Sequence, residues 1–217
     1  MVGTSVYDAR YRSDLPEAIL ATQPVGKQWV IEGVGRGQYA FRLASMTPIA
    51  PNPQLARIKI PDATPEIIAA YALSDEQALL AKVRYNRLVD IFLGVACFSL
   101  QNHLRTMVPE LGQIEIDEVY VGVDRHGRQY VVPVQAKGGA DRHSPVQIRQ
   151  DMRCCAAKFP KLICRALAAQ FIEDDLIAMF ELAMQDDEVR IVDEKHYWLV
   201  PRDRIGDDDL DAYRIRG

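Results

Sequence analysis

From residue 29 to 43 the chain reads WVIEGVGRGQYAFRL, two β-rich runs about a turn carrying Gly33, Gly35 and Gly37. That pattern predicts a β-hairpin. Five prolines, at 48, 51, 53, 61 and 65, then leave room only for a short strand over residues 55–60. The next pattern is helical. Ser74 is placed to cap it, Asp75 and Glu76 favour its positive end, and Leu79, Leu80, Val83, Leu88, Ile91 and Phe92 recur on one face. A second helical stretch is expected past Gly94 as far as Arg105, with Pro109 and Gly112 closing the region.

Residues 114–123, IEIDEVYVGV, and 128–137, RQYVVPVQAK, read as adjacent strands joined by the turn sequence Asp124-Arg125-His126-Gly127. A helix is expected over residues 144–158, a strand and a helix within 162–177, and a short strand over 197–200. Such an order predicts an α/β protein with a central mixed β-sheet flanked by helices. A small N-terminal β-rich module spans residues 1–70 and the main body residues 71–217.

Composition changes this picture little. At 217 residues, with 48% hydrophobic and 26% charged residues, the chain can bury a full core and has no long disordered tract. The longest apolar candidate, residues 91–100, gives way to Gln101, Asn102 and His103, short of the ~18 residues a membrane span needs. The start, MVGTSVYDARYRSDL, lacks a basic-then-apolar leader, so a cytoplasmic protein is expected. Cys97, Cys154, Cys155 and Cys164 lack zinc-site spacing and read as small buried thiols; the four histidines form no cluster and read as structural or surface residues.

Charge matters through its distribution. The net value of −4 argues against coating nucleic acid by bulk attraction. Between residues 141 and 165, however, six bases face two acids, while residues 173–211 carry three acidic clusters. A phosphate-facing side and a solvated acidic side can share one protein.

Side chains two apart in a strand share a face, so Glu115 with Asp117, and Gln135 with Lys137, can meet at one end of a hairpin. An isolated acid such as Asp117 can also do no more than cap a turn. A lysine in an apolar strand is costly unless it is compensated, which points to a site.

Asp117 followed by the run Gln135-Ala136-Lys137 resembles the PD-(D/E)xK superfamily, the restriction-endonuclease-like nucleases, in a QxK variant. Asp117 matches the first acid and Lys137 the lysine, while Gln135 stands where the family usually has an acid. The resemblance covers roughly residues 74–177. It implies a restriction-endonuclease-like core and a Mg²⁺-dependent DNA endonuclease of type II restriction kind, with Mn²⁺ as a substitute metal and double-stranded DNA as partner. A junction or repair nuclease and a non-catalytic DNA-binding protein are the alternatives.

Asp117, Gln135 and Glu115 would then hold the metal, which polarises the phosphate and acidifies a bound water. Lys137 would position that water and offset developing charge. Glu76 is the candidate helical acid, with Asp75, Asn86 and Asp90 as competitors. On the helix after the lysine, Gln147 or Gln150 matches a glutamine of some family members, and Arg149 and Arg153 suit backbone phosphates. The N-terminal module would help bind DNA. A homodimer is expected if both strands of a symmetric site are cut.

Overall fold

The computed structural model describes residues 15–35, 38–45, 49–71, 75–109, 111–138, 141–173, 175–186 and 188–215. A short α1 (Glu17–Leu20) leads into β1 (Lys27–Gly35) and β2 (Gln38–Ser45), which pair antiparallel as the expected hairpin. Trp29 meets Phe41 edge to face with ring centres 6.4 Å apart, and its Nε1 donates to Thr22 Oγ1 at 2.8 Å. An aromatic pair thus joins the two strands, and a polar tie joins β1 to the turn that follows α1. The hairpin comes close to the main sheet at Gly112, whose φ is +80° and where a β-carbon would stand 3.1 Å from the Gly35 carbonyl oxygen. Glycine is suited to both demands.

After the prolines comes β3 (Arg57–Pro61), then α2 (Glu66–Tyr71), α3 (Glu76–Tyr85) and α4 (Leu88–Leu93). Three strands follow: β4 (Ala96–Val108), β5 (Gly112–Val123) and β6 (Gln129–Lys137). Beyond α5 (Pro145–Lys158) lie β7 (Ile163–Cys164), β8 (Ala166–Glu173), β9 (Leu176–Gln185), β10 (Glu188–Val200) and α6 (Asp207–Ile215). The main sheet runs β3-β10-β9-β8-β6-β5-β4, with β7 beside β6. It is mixed, since β3 with β10, β6 with β7, and β6 with β8 are parallel and the other neighbours antiparallel. Although β3 falls in the 1–70 span, it is an edge strand of this sheet.

The core lies on both sheet faces. Leu79, Leu80 and Val83 of α3 and Leu88 and Val89 of α4 pack with Val132, Val134 and Ala136 of β6. On the opposite face Ile148 of α5 packs with Ala166 and Ala168, and Cys154 and Cys155 pack with Val131. Because β6 alternates between these layers, it is buried almost throughout, and its last residues emerge between the starts of α3 and α5. All four cysteines are free thiols, and Cys97, Cys154 and Cys155 are buried.

Several expectations need correction. The single long helix is two, because Arg87 adopts a left-handed conformation (φ +52°) between α3 and α4. The helix expected beyond Gly94 is the strand β4: Gly94, at φ +65°, ends α4 in the left-handed cap that stops helices. The helix expected toward residue 177 is likewise strand, since β8 is followed by β9. Both faces of β9 are covered, so its apolar run carries no alternation to separate it from a buried helix. The short closing strand is the 13-residue β10. Ser74 lies outside the described residues; Asp75 caps α3, accepting from the Ala78 amide at 2.9 Å.

Along β4 the pairing with β5 shifts between Ser99 and Gln101, and His103 has a φ of +46°. Such a conformation is uncommon for a residue other than glycine. Among the described residues, no helix is long and apolar enough to cross a membrane.

Candidate active site

Asp117 sits where the backbone is irregular on both sides. Toward β4, the pairs Asn102 with Glu118 and Leu104 with Ile116 flank the position where kinked His103 stands opposite Asp117. Toward β6, the ladder runs from Val123 with Gln129 to Glu118 with Val134 and stops there. Beyond that point β6 continues beside β8, through Lys137 opposite Gln170, while β5 continues beside β4. The Ala136 amide is then satisfied by a side chain, donating to Asp117 Oδ2 at 2.9 Å. Asp117 bridges two strands that have begun to part.

Lys137 ends β6 and reaches the start of α3, where its Nζ pairs with Glu76 Oε1 at 2.6 Å. Asp75, Asn86 and Asp90 are engaged elsewhere. Asp75 is the helix cap, Asn86 accepts from the Ala63 amide at 2.7 Å, and Asp90 accepts from the Cys97 amide at 2.9 Å. Of the acids considered for the helical position, Glu76 is the one that meets Lys137.

Gln135 is 2% exposed and lies in a short buried chain of polar groups. Gln147 Nε2 donates to Gln135 Oε1 at 2.9 Å, and Gln135 Nε2 donates to Asp151 Oδ2 at 2.7 Å. Gln147 and Asp151 are one helical turn apart on α5, so both face β6. Asp151 is itself 2% exposed, and its Oδ1 has no protein hydrogen-bond partner.

These surroundings shift both acids the same way. Burial raises the Asp117 carboxyl above its usual range, opposed by the Ala136 amide and the positive charge of Lys137, with Glu76 adding to the rise. Burial pushes Asp151 well above the usual carboxylate range; the Gln135 amide opposes this and the charge of Asp117 adds to it. His143, just before α5, packs edge-on to Phe180 at 6.2 Å. Burial and the nearby Lys137 lower its ring to about 4, which keeps it neutral at ordinary pH.

Glu115 stands apart from this group. Glu115 is paired with Arg105 Nη2 at 3.0 Å and lies 3.8 Å from His103 Nδ1, on the β4 side. Gln147 is a helical glutamine that reaches Gln135, and Gln150 is buried on the same helix. Arg149 lines a cleft between α5 and the hairpin, together with Lys27, Arg42, Asp186 and Glu188, and Arg153 is exposed.

Asp151 was not anticipated as part of this group. A signal was present, because it falls in the stripe of Ile148, Met152 and Cys155, an acid on the core side of a helix.

Asp117 and Glu76 offer carboxylate oxygens and Gln135 an amide oxygen, a donor set that suits a hard divalent cation completed by water. Among the described residues, no three His, Cys, Asp or Glu side chains converge closely enough to hold a metal ion by themselves. No family model, curated protein or solved structure matches the chain.

Proposed function

We propose that the chain is a metal-dependent endodeoxyribonuclease with a restriction-endonuclease-like core, acting on double-stranded DNA. The observation that supports this reading is the pairing of Lys137 with Glu76 at the end of β6, next to the Ala136 amide that Asp117 accepts from, where β5 and β6 part. A lysine held there by an acid, beside a second acid desolvated by burial, is chemistry that a purely structural strand end does not need.

Asp117, Glu76 and the Gln135 carbonyl would hold Mg²⁺ or Mn²⁺. When bound, such an ion supplies Lewis acidity toward a phosphate oxygen and an acidified water. Lys137 contributes a fixed positive charge for a phosphate oxygen, and it is released for that role to the extent that Glu76 turns to a cation. Asp117 stays oriented by the Ala136 amide throughout. Arg149 and Arg153, one turn apart on α5, supply charge for the DNA backbone.

A non-catalytic DNA-binding protein on the same core is the second reading. It is favoured by the neutral glutamine at 135, both ends of whose amide are engaged by Gln147 and Asp151.

Plasmid cleavage decides between them. The full chain is expected to nick or linearise DNA with Mg²⁺ or Mn²⁺ and not with EDTA. Asp117→Ala is expected to lower the rate by at least ~10²-fold, the scale for losing a group that stabilises transition-state charge, without loss of circular dichroism. A wild type inert on many DNA substrates with both metals, yet retaining DNA in a mobility-shift assay, would leave the second reading.

A further inference from the structure

We infer that Asp151 is a positioning residue for Gln135, fixing which end of its amide is offered to the site. The inference rests on the metal-site reading above and names the part of the fold that makes a glutamine usable there.

An amide side chain has two ends of opposite character, and a rotation of 180° about its last bond exchanges them. Gln135 is held against that exchange. Asp151 Oδ2 accepts from its Nε2 at 2.7 Å, so the nitrogen is committed to α5. Its Oε1 takes the Gln147 amide at 2.9 Å with one lone pair and keeps a second for a further donor or a cation.

Asp151 Oδ2 is the acceptor at the buried end of the chain of three, and it gives the chain its direction. Its burial at 2% exposure, with Oδ1 lacking a protein partner, carries a cost that core packing does not explain. An apolar residue at position 151 would suit the stripe of Ile148 and Cys155 better.

The test is Mn²⁺ binding by the full chain without DNA, read from the electron paramagnetic resonance signal of free Mn²⁺. Asp151→Asn can still accept from Gln135 and is expected to bind within about threefold of wild type. Asp151→Leu is expected to lose ~10- to 100-fold in affinity, the usual scale for removing the partner that orients a ligand. In a Gln135→Ala background, Asp151→Leu is expected to change affinity no further.

An Asn variant as weak as the Leu variant would make the Asp151 charge itself the determinant and overturn positioning. Equal losses with and without Gln135 would also overturn it, by showing that Asp151 acts independently. If the Leu variant does not fold, exchange of the Gln135 side-chain amide protons decides: slow exchange in wild type and in Asp151→Asn is expected, and exchange at the rate of an exposed amide refutes the hold. A wild type that binds no Mn²⁺ overturns the metal reading itself. A wild type that binds, with Asp151→Leu unchanged, overturns only the role of Asp151.

Discussion

Gln135→Glu places a second carboxyl group directly against Asp151. The wild-type contact is Gln135 Nε2 to Asp151 Oδ2 at 2.7 Å, between side chains each 2% exposed. Two ionised carboxylates with charges centred ~4 Å apart repel by about 4 kcal/mol at an effective dielectric constant of ~20. That is comparable to much of a domain's net stability of ~5–15 kcal/mol, so the pair is expected to share a proton rather than ionise twice.

The pH dependence follows from where that proton is lost. Burial already raises Asp151 in the wild type. The unfolded chain releases both carboxyl protons near pH 4, about 3.9 for Asp and 4.3 for Glu, whereas the folded variant keeps at least one above that range. Between those limits the folded state binds more protons than the unfolded one, so stability falls as pH rises. Thermal melts should find the variant close to wild type at pH 5 and lower by up to about 4 kcal/mol at pH 8. Asp151→Asn in the same chain should restore most of the loss. A variant whose melting point, relative to wild type, is the same at pH 5 and pH 8 would refute the reasoning, as would a loss that Asp151→Asn leaves untouched.

Two further changes probe the frame around the site. Arg84→Met strands Glu118, which is 0% exposed and whose Oε1 accepts from Arg84 Nε at 2.9 Å and Ser99 Oγ at 2.6 Å; urea unfolding should show a loss of ~3 kcal/mol, and Glu118→Gln in that variant should recover part of it. Gly122→Ala would put a β-carbon 2.8 Å from Cys97 Sγ and 2.9 Å from Val95 Cγ1; overpacking there should cost ~1–3 kcal/mol by the same measurement, and Cys97→Ala should relieve part of it.

The hairpin, the turn at Asp124, and the paired strands β5 and β6 were all legible from the sequence, because alternation and turn residues are local signals. So was α5, with Ser144 accepting from the Gln147 amide at its start. The failures share a cause. β4 follows a helix whose apolar spacing runs on past Gly94, and β9 is apolar on both faces, so periodicity favoured helix in both places.

At the candidate site, strand period alone suggested that Asp117, Gln135 and Lys137 could meet. It could not show that Glu115 turns toward Arg105, since that depends on the partner strand β4, whose apolar spacing predicts a helix. Nor could it show Asp151, whose role comes from a 16-residue separation closed by the packing of α5 on β6.

The kink in β4 has a second consequence, for behaviour in a crowded solution. A 13-residue strand at the rim of a sheet offers unpaired amides and carbonyls to any extended chain that drifts past, and Phe98, Leu100 and Met107 on it are exposed. The shift between Ser99 and Gln101 and the left-handed turn of His103 divide that rim into short, differently aimed pieces. A foreign strand can match one piece but cannot run straight along the whole. Straightening the rim, for instance with His103→Val, would therefore turn a local irregularity into a seed for fibrous self-association.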